Sequence, residues 1–400
     1  MTSKGIAFIK TILPDPDRDK GIFFITMAQF GLAFCFNVVI SIMPFYIIKI
    51  SPYTPHETMI WIGLIMGLSP FAAAAAAPYW GSLTAKFPPK ALFQVSFLSN
   101  GIILLLMGFA DSLPLLLALR FIQGALGAAS TVGIFMIMQL SPEERLAHNL
   151  SRYKNSMTAG YLLGPPVGAY VASLVGYRAP FIFSFLMVGA LMLLCHIYVA
   201  EVEKKETDQG RKITFSRGIL WGWVLSFIAT VHLTFMPAIL PHILQGFDLV
   251  GESALKSAGF IMMGYMATAI IGNHVISRLA SMAKLKGVIA AVCLTAAFFQ
   301  IMLFFAQGVI GFAVIRMLQT GVIAAVISLV MANMASELGG TGIGFLNSAR
   351  FAGNGFGPLM ATSVLAYSNL LTLYSLIAAV TAGSVLAFVT TTEKKEGRND

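Results

Sequence analysis

Long apolar runs recur along the whole chain and are separated by short polar segments. A helix needs roughly 20 residues to cross a hydrocarbon core about 30 Å thick, and a backbone in lipid must satisfy its own hydrogen bonds. Runs of this length without polar alternation favour helices over the strands of a barrel. The pattern predicts twelve membrane-spanning helices, with loose boundaries, at residues 22–48, 58–82, 90–109, 113–140, 152–175, 179–200, 218–244, 255–279, 286–306, 309–335, 343–367 and 370–391.

The longest charged interruption divides these helices into two sets of six. It reads EVEKKETDQGRKITFSRG and covers residues 201–218. Because transporters are commonly built from duplicated halves, a break at this place favours two bundles. We predict an all-α integral membrane protein with a six-helix bundle over 1–200, a cytoplasmic linker over 201–217 and a second, pseudo-symmetric six-helix bundle over 218–400.

Two stretches of the first half recur in the second, which supports a duplication. GYLLGPPVGAY, from Gly160, matches GNGFGPLMATS, from Gly353, at a spacing of 193 residues. RFIQGALGAAS, from Arg120, matches RMLQTGVIAAV, from Arg316, at a spacing of 196 residues. The first pair falls on the fifth span of each half and the second pair on the fourth. The order of the matches therefore predicts two related bundles.

The fifth span carries glycine at every fourth position, at Gly160, Gly164 and Gly168. Positions i, i+4 and i+8 share one helix face, and small residues there let another helix approach closely in a membrane. Pro165 and Pro166 remove backbone donors and bend the helix. We interpret this face as a moving seam, with a static packing face as the alternative. The residues assigned to the gate by this pattern are Gly160, Gly164, Pro165, Gly168, Gly353, Gly357 and Pro358.

Charged residues are too few for a water-soluble protein, and they are unevenly distributed. Hydrophobic residues make up 57% of the chain and charged residues 11%, against about 25% charged in a soluble domain. With both termini in the cytoplasm, the Lys and Arg of the loops fall on the cytoplasmic side except for Lys49, Arg178 and Lys256, as the positive-inside rule requires. The net charge of +9 then indicates attraction to anionic lipid, and a nucleic-acid partner is not needed to explain it.

The sequence offers no recognisable reactive centre. Cys35, Cys195 and Cys293 lie within apolar spans, where a thiol usually packs as a small hydrophobe. The chain contains neither an HExxH nor a GxSxG motif, which are signatures of metalloproteases and of serine hydrolases. We therefore expect no disulfide, no metal site, no cofactor and no enzymatic activity.

Three arginines, Arg120, Arg316 and Arg350, lie inside predicted spans. A charged side chain there costs roughly 2.5–3.5 kcal/mol on insertion scales, so each should face a cavity or a partner. The 17 Asp and Glu all fall in tails, loops or span ends, although a buried cationic substrate would need an opposite charge. This pattern favours arginines that bind an anionic or electron-rich substrate. The alternative is a structural Arg120 that is hydrogen-bonded to carbonyl groups and to Gln123.

Other polar side chains inside the spans are candidates for proton coupling and for the lining of a cavity. His232 and His274 lie in the seventh and eighth spans, and histidine can change charge near neutral pH. A buried neutral histidine is the alternative to coupling through His232. Gln29 is a further candidate for the cavity lining. The set assigned to substrate binding is Asn37, Arg120, Gln123, His232, Tyr265, Arg316, Arg350 and Asn354.

At these residues the chain resembles the major facilitator superfamily, and in particular its drug/proton antiporters. GYLLGPPVG is similar to the antiporter signature of the fifth helix, and RFIQGALGAA is similar to the fourth-helix signature with its buried arginine. NSARFAGNGFGPLM resembles the eleventh helix of bacterial multidrug exporters, where Arg350, Gly353 and Asn354 match. The resemblance covers essentially the whole chain. It implies twelve helices in two halves, a small-molecule substrate and coupling to protons.

One stretch departs from the family pattern. After the second helix the family has glycine, any residue, Leu-Ala-Asp-Arg, any residue and Gly-Arg-Lys, whereas this chain has GSLTAKFPPK. Gly81 and Lys90 agree and Lys86 stands for the arginine, so the resemblance assigns these three residues to the gate. Ala85 replaces the aspartate, which in the family helps to latch the cytoplasmic side between the halves. The departure implies a weaker or different latch.

Together these features predict a secondary active transporter that exports small amphipathic compounds by alternating access, as a proton-coupled antiporter. The alternative is a dedicated carrier for an anionic metabolite such as a siderophore or a carboxylate. We expect a monomer in the plasma membrane, specifically the bacterial inner membrane, with both termini cytoplasmic. Its expected partners are a small-molecule substrate, protons and the lipid bilayer.

Overall fold

The computed structural model describes residues 16–83, 86–127, 129–201, 217–280, 285–334 and 340–396, and helices make up most of these segments. Ten stretches of the described chain are long and apolar enough to cross a membrane. The first half contains α1 (Pro16–Ile50), α2 (Pro55–Leu83), α3 (Pro89–Gly108), α4 (Leu113–Leu126), α5 (Ala129–Leu140), α6 (Glu143–Val175) and α7 (Ala179–Tyr198). The second half contains α8 (Arg217–Thr234), α9 (Met236–Gln245), α10 (Gly251–Leu279), α11 (Leu285–Met302), α12 (Gly308–Ile323), α13 (Ala325–Asn333), α14 (Gly340–Tyr367) and α15 (Leu370–Glu396). The predicted all-α membrane class is confirmed.

Three predicted spans are each built from two helices. The pairs α4 with α5, α8 with α9, and α12 with α13 replace the fourth, seventh and tenth spans. In the seventh span, Pro237 lies in the first turn of α9, where a residue without an N–H group is tolerated. Apolar periodicity could not reveal these breaks because the sequence is apolar on both sides of each one.

The α6 helix begins earlier than the apolar pattern predicted. It starts at Glu143, after Pro142, and not at residue 152. The additional nine residues extend the helix by roughly 13 Å at 1.5 Å per residue. Glu143 and Glu144 lie in its first turn, where negative charge favours the positive end of the helix dipole. The prediction missed this part because it followed apolar residues, and the first turns of α6 are polar.

Helix ends collect on two faces of the bundle. Arg178 of the α6–α7 connection pairs with Asp111 of the α3–α4 connection at 3.4 Å. At the other end, Lys90 Nζ at the start of α3 donates to His196 O near the end of α7 at 3.0 Å. We call the face with residue 16, the α2–α3 connection and the end of α7 the terminal face. The face with residues 51–54, 109–112 and 176–178 is the opposite face.

The two halves repeat the same helix packing. In the first half α6 packs along α1, α2 packs against α4 and α3 packs against α7; in the second half α14 packs along α8, α10 against α12 and α11 against α15. Between the halves, α6 packs against α10 and α14 packs against α2. The predicted arrangement in two related halves is thus present. The limits of the linker stay a prediction, because residues 202–216 lie outside the described residues.

Buried apolar side chains form two clusters that differ in which halves contribute. The larger cluster joins residues of both halves, for example Met43 of α1 with Leu240 of α9 and Ala361 of α14. The smaller cluster, exemplified by Ile289 and Leu329, lies toward the terminal face, and all its members belong to the second half. Toward the opposite face, the two halves therefore share one apolar core. Toward the terminal face, the second core belongs to the second half alone.

Candidate functional site

The two halves meet closely in the part of the bundle near the opposite face. A Cβ atom added to Gly259 of α10 would lie 2.9 Å from Pro165 O and 3.0 Å from Pro166 Cα of α6. A Cβ atom added to Gly63 of α2 would lie 3.1 Å from the Cα atom of Leu359 of α14. These backbones approach so closely because glycine has no side chain. The contacts close the opposite face.

One face of α14 changes from buried to accessible along its length. Arg350, Asn354, Pro358, Ala361 and Leu365 follow one another at intervals of three or four residues, so they share a helix face. Pro358, Ala361 and Leu365 are buried, whereas Asn354 is partly exposed and Arg350 is exposed. Since the buried part belongs to the core that joins the halves, we infer that the accessible part faces a cavity between them. This cavity opens toward the terminal face.

Tyr161 of α6 faces the same cavity from the other half. It lies 193 residues before Asn354, at the equivalent position of the repeat, and it is partly exposed. The Arg350 charge interacts electrostatically with the Tyr161 hydroxyl. Tyr161 is absent from the sequence-based set. The internal repeat, which aligns Tyr161 with Asn354 of that set, could have identified it.

The prolines that follow these two positions change the backbone of the cavity wall. Pro165 and Pro358 have no N–H group, so they cannot donate to the carbonyl oxygens of Tyr161 and Asn354, four residues earlier. Both helices nevertheless continue past their prolines. Each half thus contains, at the same repeat position, a carbonyl group that lacks its helical N–H donor.

The predicted gate glycines pack within each half. A Cβ atom on Gly164 would lie 2.7 Å from Asn37 Cβ and 2.8 Å from Phe34 O of α1, and Gly160 and Gly168 also face α1. In the second half Gly353 and Gly357 face α8 in the same way. The expected close helix approach is therefore present, with its partner helix inside the half. At Gly259 of the other half, α6 makes contact through Pro165, Pro166 and Ala169.

Arg120 of α4 is enclosed in the first half. Its Nε donates to Ile65 O of α2 at 3.0 Å, and its Nη1 donates to Gln123 Oε1. The guanidinium carbon lies 5.4 Å from the centre of the Phe36 ring of α1, within cation–π range. Because the side chain is only 1% exposed, it does not face the cavity in this conformation. The geometry matches the structural alternative considered from the sequence.

Arg316 of α12 occupies an equivalent position in the second half. Its Nη1 donates to Gln319 Oε1, and its Nη2 donates to His232 O at 2.8 Å. The guanidinium carbon lies 5.0 Å from the centre of the Phe235 ring and 4.9 Å from that of the Tyr265 ring. The side chain is fully buried. Both repeat halves therefore bury an arginine beside a glutamine three residues later.

Hydrogen bonds in the second half fix the tautomer of His232. Gln319 uses its side-chain oxygen to accept from Arg316, so its nitrogen, 2.6 Å from His232 Nδ1, must donate. Thr381 Oγ1 donates to Ile377 O at 2.7 Å, so it accepts from His232 Nε2 at 2.8 Å. Neutral imidazole has one donor and one acceptor, and both are used. His232 is thus held neutral, with its proton on Nε2.

The other predicted residues occupy varied surroundings. Asn37 is buried and donates to Ala33 O at 2.9 Å, whereas His274 is exposed on α10. Gln29 accepts from Tyr153 at 2.7 Å and donates to Ser130 at 2.9 Å, so it joins helices within the first half. The residues predicted around the α2–α3 connection are placed as follows: Gly81 in the last turn of α2, Lys86 exposed, Lys90 bonded to α7 and Ala85 outside the described residues.

A cavity between two pseudo-symmetric helical halves, open at one end and closed at the other, is the architecture of an alternating-access transporter. The family model described as Major Facilitator Superfamily matches residues 22–358. The chain belongs to the major facilitator superfamily. The predicted family is thereby confirmed, and this superfamily member is a transporter of small molecules embedded in the membrane, not an enzyme.

Relatives of this superfamily member include bacterial multidrug resistance proteins named MdtG. The chain is 24% identical over 361 residues to MdtG of Yersinia enterocolitica, with 87% of each chain covered. It is 25% identical over 373 residues to MdtG of Klebsiella pneumoniae, with 88% of this chain and 87% of that protein covered.

Solved transporters share its fold. A bacterial homologue of the human lysosomal transporter Spinster, in an inward-facing and occupied conformation, matches with a TM-score of 0.74 at 13% identity, covering 94% of this chain and 96% of that chain. The nucleoside transporter NupG matches with a TM-score of 0.71 at 13% identity, covering 92% of this chain and 98% of that chain. At these identities the likeness concerns the fold alone.

Proposed function

We propose that this chain exports small amphipathic compounds as a proton-coupled antiporter. The observation that carries the proposal is the change in burial along one face of α14, from exposed Arg350 and partly exposed Asn354 to buried Ala361, which supports a cavity between the halves that opens toward the terminal face. A substrate entering from that side would reach Tyr161 and Arg350, one from each half. Similarity to the MdtG multidrug resistance proteins supports export in preference to import.

The charge of the cavity favours neutral or anionic substrates over cations. Arg350 brings a positive charge to the cavity wall, and in the described segments every Asp and Glu lies in a loop or within the first or last turns of a helix. A desolvated organic cation would meet the charge of the arginine and, among the described residues of the spans, no carboxylate to compensate its own charge. This argument also favours the second candidate, a dedicated carrier for an anionic metabolite.

His232 is the candidate residue for proton coupling. A second proton on Nδ1 would occupy the position that accepts from Gln319, so the amide would have to turn. The turned amide would present its nitrogen to Arg316 and lose that hydrogen bond. Protonation of His232 would therefore rearrange contacts between α8 and α12, which is the kind of linkage that coupled transport requires.

The proposed location is the plasma membrane of a bacterium, with the terminal face in the cytoplasm and the chain acting as a monomer. The positive-inside distribution supports this orientation, since Lys86, Arg145 and Arg152 lie toward the terminal face. With this orientation the open cavity faces the cytoplasm, where an exporter collects its substrate.

Transport into proteoliposomes tests the proposal directly. Amphipathic dyes of matched size and of negative, zero or positive charge are offered to vesicles with an acidic lumen. In protein molecules whose terminal face points outward, the imposed gradient should drive accumulation of the anionic and neutral dyes. Equal dye content in protein-containing and empty vesicles would contradict export. Transport of a single anion, with exclusion of the other dyes, would instead support the dedicated carrier.

Arg350→Gln should lower the transport rate of anionic dyes about tenfold or more and that of neutral dyes less, because it removes one charge from the cavity wall. Arg178→Gln is the matched control: Arg178 is exposed at the opposite face, where it pairs with Asp111, and its loss should leave both rates nearly unchanged. Equal losses for anionic and neutral dyes in Arg350→Gln would rule out charge recognition at this residue.

A further inference from the structure

The second half buries a guanidinium group whose charge no acidic residue compensates in the part of the chain that the structure describes. Arg316 is 0% exposed, and it contacts a carbonyl oxygen, an amide oxygen and two aromatic rings. The ion pairs recorded among described residues are all at the surface: Arg145–Asp19, Arg178–Asp111 and Lys256–Glu252. A buried ion without a counter-ion is strongly unfavourable.

Three buried donors around this group lack a hydrogen-bond partner. They are Arg316 Nε of α12, the Tyr265 hydroxyl of α10 and the Tyr374 hydroxyl of α15. Both tyrosines are 1% exposed, and both hydroxyls interact electrostatically with the guanidinium. Buried polar groups are nearly always paired with protein, water or an ion. Three unpaired donors from three helices beside one uncompensated positive charge favour the binding of an acceptor at this place.

The arginine of the first half does not have this arrangement. Arg120 uses Nε to donate to Ile65 O, whereas Arg316 donates to a carbonyl through Nη2 and leaves Nε without a partner. Among the described residues, buried tyrosine hydroxyls without a partner occur only at Tyr265 and Tyr374. The three unpartnered donors are therefore a property of the second half and not of the repeat.

We propose that a small monovalent anion, of the size of chloride, is bound between Arg316 Nε and the hydroxyls of Tyr265 and Tyr374. A monoanion accepts from all three donors and also neutralises the guanidinium, whereas water would satisfy hydrogen bonds and leave the charge. The site is enclosed by α8, α10, α12 and α15 and is separate from the cavity at Arg350. The anion is a resident ligand of the second half, and its binding is distinct from the proposed transport of substrate.

Thermal unfolding of the purified full-length protein in matched sodium salts tests the site. At equal ionic strength, Tm in chloride should be higher than Tm in gluconate by about 2–4 °C. Gluconate serves as the reference because it is too large for an enclosed site. Tyr265→Phe and Tyr374→Phe keep the rings and remove one donor each, so each should weaken the apparent chloride affinity about tenfold or more. The double variant should lose the dependence on chloride. Formate in place of chloride shows whether a carboxylate is accepted equally well.

Tyr153→Phe is the control for loss of a buried tyrosine hydroxyl, since Tyr153 donates to Gln29 in the first half. It should lower Tm in both salts and keep the chloride effect. If the pocket holds no anion, Tyr265→Phe and Tyr374→Phe remove unpaired hydroxyls and should maintain or raise Tm in both salts. That result, or equal Tm of the unaltered protein in chloride and gluconate, would overturn the proposal. In crystals grown with bromide, anomalous scattering should place the ion beside Arg316; its absence there would also overturn the site.

Discussion

At the scale of single residues, the polar interior of the second half forms a directional chain of hydrogen bonds. Arg316 donates to Gln319, Gln319 donates to His232, and His232 donates to Thr381. Arg316 only donates, whereas Gln319, His232 and Thr381 each accept with one group and donate with another, so the orientation of each side chain depends on its neighbours. A change at either end should therefore alter the hydrogen bonds of the whole series from α12 to α15.

Thr381→Val should destabilise the protein by about 1–3 kcal/mol, because His232 Nε2–H loses its acceptor while the side-chain volume hardly changes. Thr390→Val is the matched control. Thr390 lies on the same helix and also donates to the carbonyl four residues earlier, but it is exposed, so the change should stay within about 0.5 kcal/mol. Thermal unfolding compares the two, and equal shifts would show that the bond to His232 contributes nothing to stability.

At the scale of helices, the apolar periodicity was sufficient to predict twelve spans but not their partners. The repeats at Gly160 and Arg120 indicated two related halves because duplicated packing preserves small residues and buried charges at fixed spacing. The same glycines gave no information on which helix they approach: Gly164 faces α1, and spacing along one helix cannot identify a neighbour. A glycine face thus predicts close approach, and the tertiary fold decides what approaches.

The candidate site was only partly predictable for a related reason. Arg350 and Asn354 reach the cavity, whereas Arg120 and Arg316 are enclosed by carbonyl groups, glutamines and aromatic rings. An arginine in an apolar span indicates some polar environment, but the sequence does not distinguish a cavity from a set of buried acceptors. That distinction depends on helix rotation, which the burial pattern along α14 displays and the linear sequence does not.

Gly164→Ala should test the close contact between α1 and α6. The added Cβ would lie 2.7 Å from Asn37 Cβ and 2.8 Å from Phe34 O, so the helices must separate and stability should fall by about 1–3 kcal/mol. Gly189→Ala on α7 is the control, because nothing lies within 4 Å of a Cβ atom there and alanine favours the helix by up to about 1 kcal/mol. Denaturation that affects both variants equally would contradict a specific α1–α6 contact.

At the scale of the whole molecule, alternating access requires that one end of the cavity be closed while the other is open. Here both halves contribute to the core that contains Ala361. The core that contains Leu329 lies toward the terminal face and belongs to the second half only. The closed end rests on glycines that face backbone, such as Gly63 and Gly259. Alternating access therefore requires these backbone contacts and the shared apolar core to separate when the terminal face closes.

Single cysteines along the cavity face of α14 can measure which end is open. Asn354→Cys should react with a water-soluble maleimide added at the terminal face, because this position is partly exposed. Ala361→Cys, seven residues further on the same face and 0% exposed, should be protected, since it lies roughly 10 Å deeper in the core shared by the halves. Cys35, Cys195 and Cys293 are buried and should give little background. Labelling of both positions at similar rates, or of Asn354→Cys only from the opposite face, would contradict a cavity that opens toward the terminal face.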